Sequence, residues 1–413
     1  MQTLLNHEWL PIFLMVAAVT FAYLIVPGFH GYFQMLLLIS ILVIAHELGH
    51  FWVAKRCGVK VERFGFGLPI GPAIWQKQVG ETTYCLHPVL LGGYVSFPDD
   101  EPDNDLPKDS PRRFENQPVL NRAAIAIAGV TVNFILGYVF MLIVLLGWGE
   151  PDVLVKVHEF VSPNTPAATA GFQPDDVFLK MDGQRVSFTR FDEYKAYLEA
   201  HKNQPVHFTV KRGDQIVALT ASPNAEGILG FVPAVQYMFV PLDNPLQGVV
   251  RAYTFLYEKM EQQFHAIGRI VQGDETLKQS LSGPIGIVKE GGDYISQFGF
   301  PFGLMISALL SVMLAIINIL PVPMLDGGHL LFLAIEAIKG RPVNKALQER
   351  LVQVCFVMLM GLMVFIMWND INKYFLSEWL DKEPGKPQQT QPNDSKSPQK
   401  STVQAHPATE SVR

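Results

Sequence analysis

The chain has 413 residues, of which 49% are hydrophobic and 17% charged, whereas an average soluble domain carries about 25% charged residues. The apolar residues come in long blocks, which argues against a wholly soluble enzyme and against a fibrous or disordered chain. A formal net charge of -6 leaves no basic footprint for nucleic acid, and Cys57, Cys85 and Cys355 are too scattered for a disulfide framework or a zinc knuckle.

Five apolar blocks are predicted to cross a membrane as helices, a task that takes about 20 residues. The first covers 9–26 and closes at Pro27-Gly28. It has no Lys or Arg ahead of it and no clear small-x-small site behind it, so 1–31 reads as a retained additional helix and not as a signal peptide. The second block, 32–54, ends at Lys55-Arg56. Residues 61–97 then alternate and are rich in glycine and aromatics, as in Phe64-Gly65-Phe66-Gly67, Thr82-Thr83-Tyr84 and Gly92-Gly93-Tyr94-Val95. Short strands joined by tight turns are expected there. The third helix, 123–148, completes a first core segment over 32–148.

Residues 149–236 read as a small α+β domain, with strands at 153–161 and 177–181, a turn at Asp182-Gly183, a helix at 191–200 and a hairpin turning at Arg212-Gly213-Asp214. An amphipathic linker or helix region, 237–300, follows. The fourth and fifth spanning helices, 302–320 and 351–368, form a second core segment over 301–374. The remainder, 375–413, is predicted to be a disordered tail. From 381 it is rich in Pro, Gln, Ser and Lys, lacks aromatics, and cannot bury enough surface to offset chain entropy.

Lys and Arg near helix ends set orientation. Lys55, Arg56, Lys60 and Arg63 follow the second helix, Arg112, Arg113 and Arg122 precede the third, and Lys339, Arg341, Lys345 and Arg350 separate the last two. These loops are expected on the cytoplasmic side, and residues 149–300 and the C-terminus outside.

The second helix contains His46-Glu47-Leu48-Gly49-His50. Positions i and i+4 share a helix face, so both imidazoles can reach one metal, and Glu47 falls beside it, where it can take a proton from bound water. Three ionisable groups in a spanning helix are expensive unless they face a cavity or bind a metal. A catalytic zinc has three protein ligands and a water, which directs attention to Asn318-Ile319-Leu320-Pro321-Val322-Pro323-Met324-Leu325-Asp326-Gly327-Gly328-His329. The prolines break the helix, and broken backbone at membrane depth is tolerated only where protein or a cavity covers it. Asp326 is the candidate third ligand. Glu336 is the alternative acid, and His329 reads as an interfacial loop histidine.

These residues resemble the site-2 protease family of intramembrane zinc metalloproteases, in its regulator of sigma-E protease group. H-E-L-G-H at 46–50 and N-x-x-P-x-P-x-L-D-G-G at 318–328 carry the resemblance. Ala128-Gly129-Val130-Thr131-Val132-Asn133 and Ser282-Gly283-Pro284-Ile285-Gly286-Ile287 are similar to further family segments, and the likeness covers about residues 33–372. It implies that His46, His50 and Asp326 bind one Zn²⁺, that Glu47 is the general acid/base, and that Asn318 and Asn133 line the substrate site. An edge strand at Gly92 and Gly93 would hold the unwound substrate.

The outer domain resembles a bacterial PDZ domain at Thr165-Pro166-Ala167, Ala170–Val177 and Asp182-Gly183, with Asp175-Asp176 where Gly-Asp is usual. It would bind a peptide C-terminus or exclude bulky substrates. The implied whole is a multi-span α-helical membrane protein of the bacterial inner membrane, with a membrane-associated β region and an inserted extracytoplasmic PDZ-like domain. Its active site would lie toward the cytoplasmic side. Its partners would be the lipid bilayer and single-span transmembrane substrates such as an anti-sigma factor or remnant signal peptides. A non-enzymatic membrane scaffold or zinc carrier would instead leave Glu47 dispensable.

Overall fold

The structure is a computed structural model that describes residues 20–21, 23–25, 28–100, 106–186, 191–242, 244–272 and 282–376. Most of the additional helix expected at 9–26, and the tail from 377 onward, lie outside the described residues.

Four helices among the described residues are long and apolar enough to cross a membrane. They are α1 (Phe29–Arg56), α2 (Val119–Gly147), α7 (Phe300–Ile319) and α9 (Lys345–Ile371, continued as a looser turn to Leu376). The first three pack together because each offers large apolar residues on its inner face. Met35, Leu38 and Leu42 of α1 meet Phe140, Met141 and Val144 of α2 and Leu304, Ala308 and Val312 of α7 in one buried cluster. The same cluster takes Ala252 and Leu256 from α5 (Pro245–Val271) and Ile295 from α6 (Pro284–Phe298). The expected linker region therefore holds two helices that close the core.

The fourth spanning helix differs. Asp370 is the only fully buried residue of α9. Its carboxylate accepts from the backbone N–H of Gly283 at 3.0 Å and of Gly286 at 2.8 Å, at the N-terminus of α6. Those donors have no partner inside their own helix, and the helix dipole favours an anion there.

Two sheets complete the fold. The first, on the β region after α1, has the order β2-β3-β1-β4, from β1 (Arg63–Leu68), β2 (Trp75–Val79), β3 (Thr82–Leu86) and β4 (Val89–Ser96). β4 pairs antiparallel with β1, Gly93 facing Phe66 and Val95 facing Phe64, and forms an edge. The second sheet is the insert between α2 and α5. Its order is β10-β5-β6-β8-β9, from β5 (Glu150–Phe160), β6 (Val177–Met181), β8 (Val206–Arg212), β9 (Gln215–Ala221) and β10 (Phe231–Val240), with the short β7 (Gln184–Arg185) on β6.

Two helices, α3 (Pro166–Thr169) and α4 (Phe191–Ala200), accompany the sheet, and Val155, Phe172, Phe178, Tyr194 and Phe208 fill its core. β10 extends past the expected domain end and brings Phe239 within 4.6 Å of Phe302 on α7, joining the insert to the membrane core. Asp175 adopts φ 70°, a left-handed conformation that glycine takes more readily, which accounts for the Gly that the resembled pattern has at this position.

Candidate metal centre

His46 and His50 project from one face of α1 with their Nε2 atoms 3.2 Å apart. The third group comes from a doubling back of the chain. α7 stops at Ile319, since Pro321 and Pro323 cannot continue it. A tight turn follows, in which the Leu325 N–H donates to the Val322 carbonyl at 2.8 Å, and α8 (Asp326–Lys339) begins. The turn folds onto α8 so closely that a Cβ on Gly328 would lie 2.6 Å from Pro323 Cα. Asp326, the first residue of α8, thus reaches both imidazoles: Oδ2 is 3.3 Å from His46 Nε2 and Oδ1 is 3.5 Å from His50 Nε2.

The ligand atoms of His46, His50 and Asp326 all lie within 4.8 Å of one another. Asp326 Oδ2 is buried and accepts no hydrogen bond. Two imidazole nitrogens, one carboxylate oxygen and an open fourth direction fit a catalytic zinc.

The neighbours are equally definite. Glu47 stands against the β4 edge: a Cβ on Gly93 would lie 3.3 Å from Glu47 Cγ, and Val95 lines the same cavity. Gly92, at φ 105°, turns the strand beside a register shift at Phe66/Leu68. Asn318, on the last turn of α7, places Nδ2 3.5 Å from His46 Nε2. Asn133 of α2 places Nδ2 3.2 Å from His46 Nδ1, on the opposite side of the ring. All but the two glycines line one cavity of about 1400 Å³.

Glu336 also lines it but is held by Arg122 at 2.5 Å and stands outside the metal group. His329 lies not in a loop but on α8, three residues beyond Asp326, and faces the same cavity.

The sequence profile of peptidase family M50 matches residues 34–362. The chain belongs to peptidase family M50. Among its relatives, the metalloprotease MmpA of Caulobacter vibrioides is 34% identical over 386 residues, covering 83% of this chain and 95% of that protein. A Nostoc protein named provisionally as a zinc metalloprotease is 34% identical over 357 residues, with 83% and 97% covered. The regulator of sigma-E protease RseP of Salmonella typhimurium is 29% identical over 445 residues, with 81% and 97% covered.

As an M50 member with four apolar helices, the chain is a zinc metalloprotease of the membrane. The M50 match runs from the first turns of α1 into α9 and includes every residue of the candidate centre. Sequence reasoning missed the role of Ile125, which acts through a main-chain atom, its carbonyl lying 2.7 Å from His50 Nδ1. A side-chain pattern carries no signal for such groups.

Proposed function

We propose that the protein hydrolyses peptide bonds within the transmembrane segments of single-span membrane proteins. The observation that carries this reading is the convergence of His46, His50 and Asp326 from two apolar helices, with Glu47 set between that group and a sheet edge. His46, His50 and Asp326 would hold the zinc, which would supply a Lewis acid for the scissile carbonyl and make water a better nucleophile near neutral pH. Glu47 is the general base that takes the water proton and returns it to the departing amine.

A substrate helix hides its carbonyls in its own hydrogen bonds and must unwind before attack. In lipid the freed groups need new partners. The β4 edge at Gly92, Gly93 and Val95 offers them by strand addition, and the Asn318 amide offers a further donor beside His46.

The basic loop residues support a cytoplasmic placement of the centre. Lys55 and Arg112 both pair with Glu81, Lys345 pairs with Glu115 at 2.6 Å, and Arg122 pairs with Glu336, so the positive loops gather on one face. The insert would then be an extracytoplasmic PDZ-like domain that admits trimmed substrates or binds a peptide C-terminus, in a bacterial inner membrane. An anti-sigma factor or a remnant signal peptide is the substrate class. Co-expression of a tagged single-span substrate with the wild type or with Glu47→Gln tests the reading. The variant is expected to keep zinc and lose cleavage; undiminished cleavage would remove Glu47 as the base.

A further inference from the structure

We infer that one stripe of α2, Ile125, Gly129 and Asn133, is the cradle that orients both imidazoles, and that Asn133 is a positioning residue for His46. The inference rests on the zinc site proposed above. The three residues are spaced by four, so they lie along one face of α2. Each meets a ring of α1. The Ile125 carbonyl lies 2.7 Å from His50 Nδ1. The Gly129 backbone lies against the His46 ring. A Cβ on Gly129 would lie 2.6 Å from His46 Cε1 and 2.8 Å from His46 Nδ1, so only glycine lets the helix come this close. Asn133, 1% exposed, puts its amide 3.2 Å from His46 Nδ1.

A neutral imidazole has one donor and one acceptor nitrogen. When Nδ1–H is engaged by an outer partner, the Nε2 lone pair is left for the metal and the ring plane is fixed. Ile125 does this for His50. For His46 the engaged atom is again Nδ1, while Nε2 faces Asp326.

The Asn133 amide completes the arrangement. Its Oδ1 is buried without a hydrogen bond, and turning the amide about its last bond exchanges oxygen and nitrogen without a change of shape. Oδ1 then accepts from His46 Nδ1–H. Ser311 of α7 donates to the Asn133 carbonyl at 2.8 Å, pinning this point of α2 to the helix that leads to Asn318 and Asp326. Asn133 thus stands at the Nδ1 edge of the His46 ring, whereas Asn318 stands at the Nε2 edge.

The test uses the full-length protein purified in detergent. Zinc affinity is read by competition with a chromophoric chelator, ligand geometry by the visible spectrum of the Co²⁺ form, and KM with a transmembrane substrate. Asn133→Leu is expected to weaken zinc binding by about 10–100-fold, the usual effect of losing an outer-shell partner, to change the cobalt spectrum, and to leave KM unaltered. Asn133→Ala, smaller and easier to accommodate, is expected to do the same. Asn133→Asp, which keeps an acceptor, restores the affinity.

Wild-type zinc affinity and cobalt spectrum in Asn133→Leu and Asn133→Ala, with a raised KM, would overturn the inference and make Asn133 a substrate contact. Zinc that survives Asp326→Asn undiminished would instead overturn the ligand assignment beneath it.

Discussion

Replacing Asp370 should loosen one helix rather than the whole core. Its carboxylate holds two backbone N–H groups, at 3.0 and 2.8 Å, and is fully buried. Each buried donor left without an acceptor costs about 1–3 kcal/mol. The lost charge at the N-terminus of α6 adds about 0.3–1 kcal/mol. Asp370→Ala should therefore cost about 3–5 kcal/mol, as expected when one partner of a buried charged contact is removed. Asp370→Asn keeps one acceptor and should cost about 1–3 kcal/mol.

The loss should be local, because no other residue of α9 is fully buried. Hydrogen exchange in detergent, read by mass spectrometry, is the assay. Faster exchange is expected at the amides of Gly283 and Gly286 and along α9, in the order wild type, Asn, Ala, with α1, α2 and α7 little changed. An Asp370→Ala protein within about 0.5 kcal/mol of the wild type, with unchanged exchange at α6, would refute the reasoning.

Further substitutions separate other parts of the molecule. Glu336→Gln should keep stoichiometric zinc because Glu336 serves Arg122, whereas Asp326→Asn should lose it; metal analysis of the purified proteins decides. Asp175→Val, with a β-branched side chain at φ 70°, should lower stability by about 1–2 kcal/mol in thermal unfolding. Asp175→Gly should stay within about 0.5 kcal/mol of the wild type, since gained freedom in the unfolded chain offsets the relieved strain.

Lys55, and with it Arg112, holds the Glu81 carboxyl below the usual range. A depressed carboxylate stabilises the fold above its unfolded pKa of about 4.3 and loses that contribution as pH falls through the lower folded value. The pair is partly exposed, so the effect is at most about 1 kcal/mol. Glu81→Gln should flatten the acid limb of the stability profile by that amount, and an unchanged limb would show that the pairing contributes nothing.

The metal group could be read from the sequence because charged residues inside apolar helices have few reasons to exist. His46, Glu47, His50 and Asp326 stand out against their surroundings for that reason, and the proline break before Asp326 marks where the chain folds back. The spanning helices were readable from apolar length alone, to within a few residues at α1 and α2. Placement against one another was not. That β4 lies beside Glu47 depends on sheet order, and that Asp370 caps α6 depends on a contact between residues 84 and 87 positions apart in the chain. Glu336 reads as a possible ligand in the sequence; in the fold Arg122, 214 residues away, holds it. From the sequence His329 reads as an interfacial loop histidine, behind Gly327 and Gly328. In the fold those glycines start a helix, since the preceding turn packs too closely for any side chain at Gly328.

Mapping the cleaved bond tests the central claim most directly. The full-length protein would be reconstituted in proteoliposomes with a single-span substrate, and the products identified by mass spectrometry with and without a zinc chelator. Zinc-dependent cleavage at a bond inside the apolar span is the expected result. Cleavage confined to the flanking aqueous segments, or products that persist after zinc removal, would contradict it.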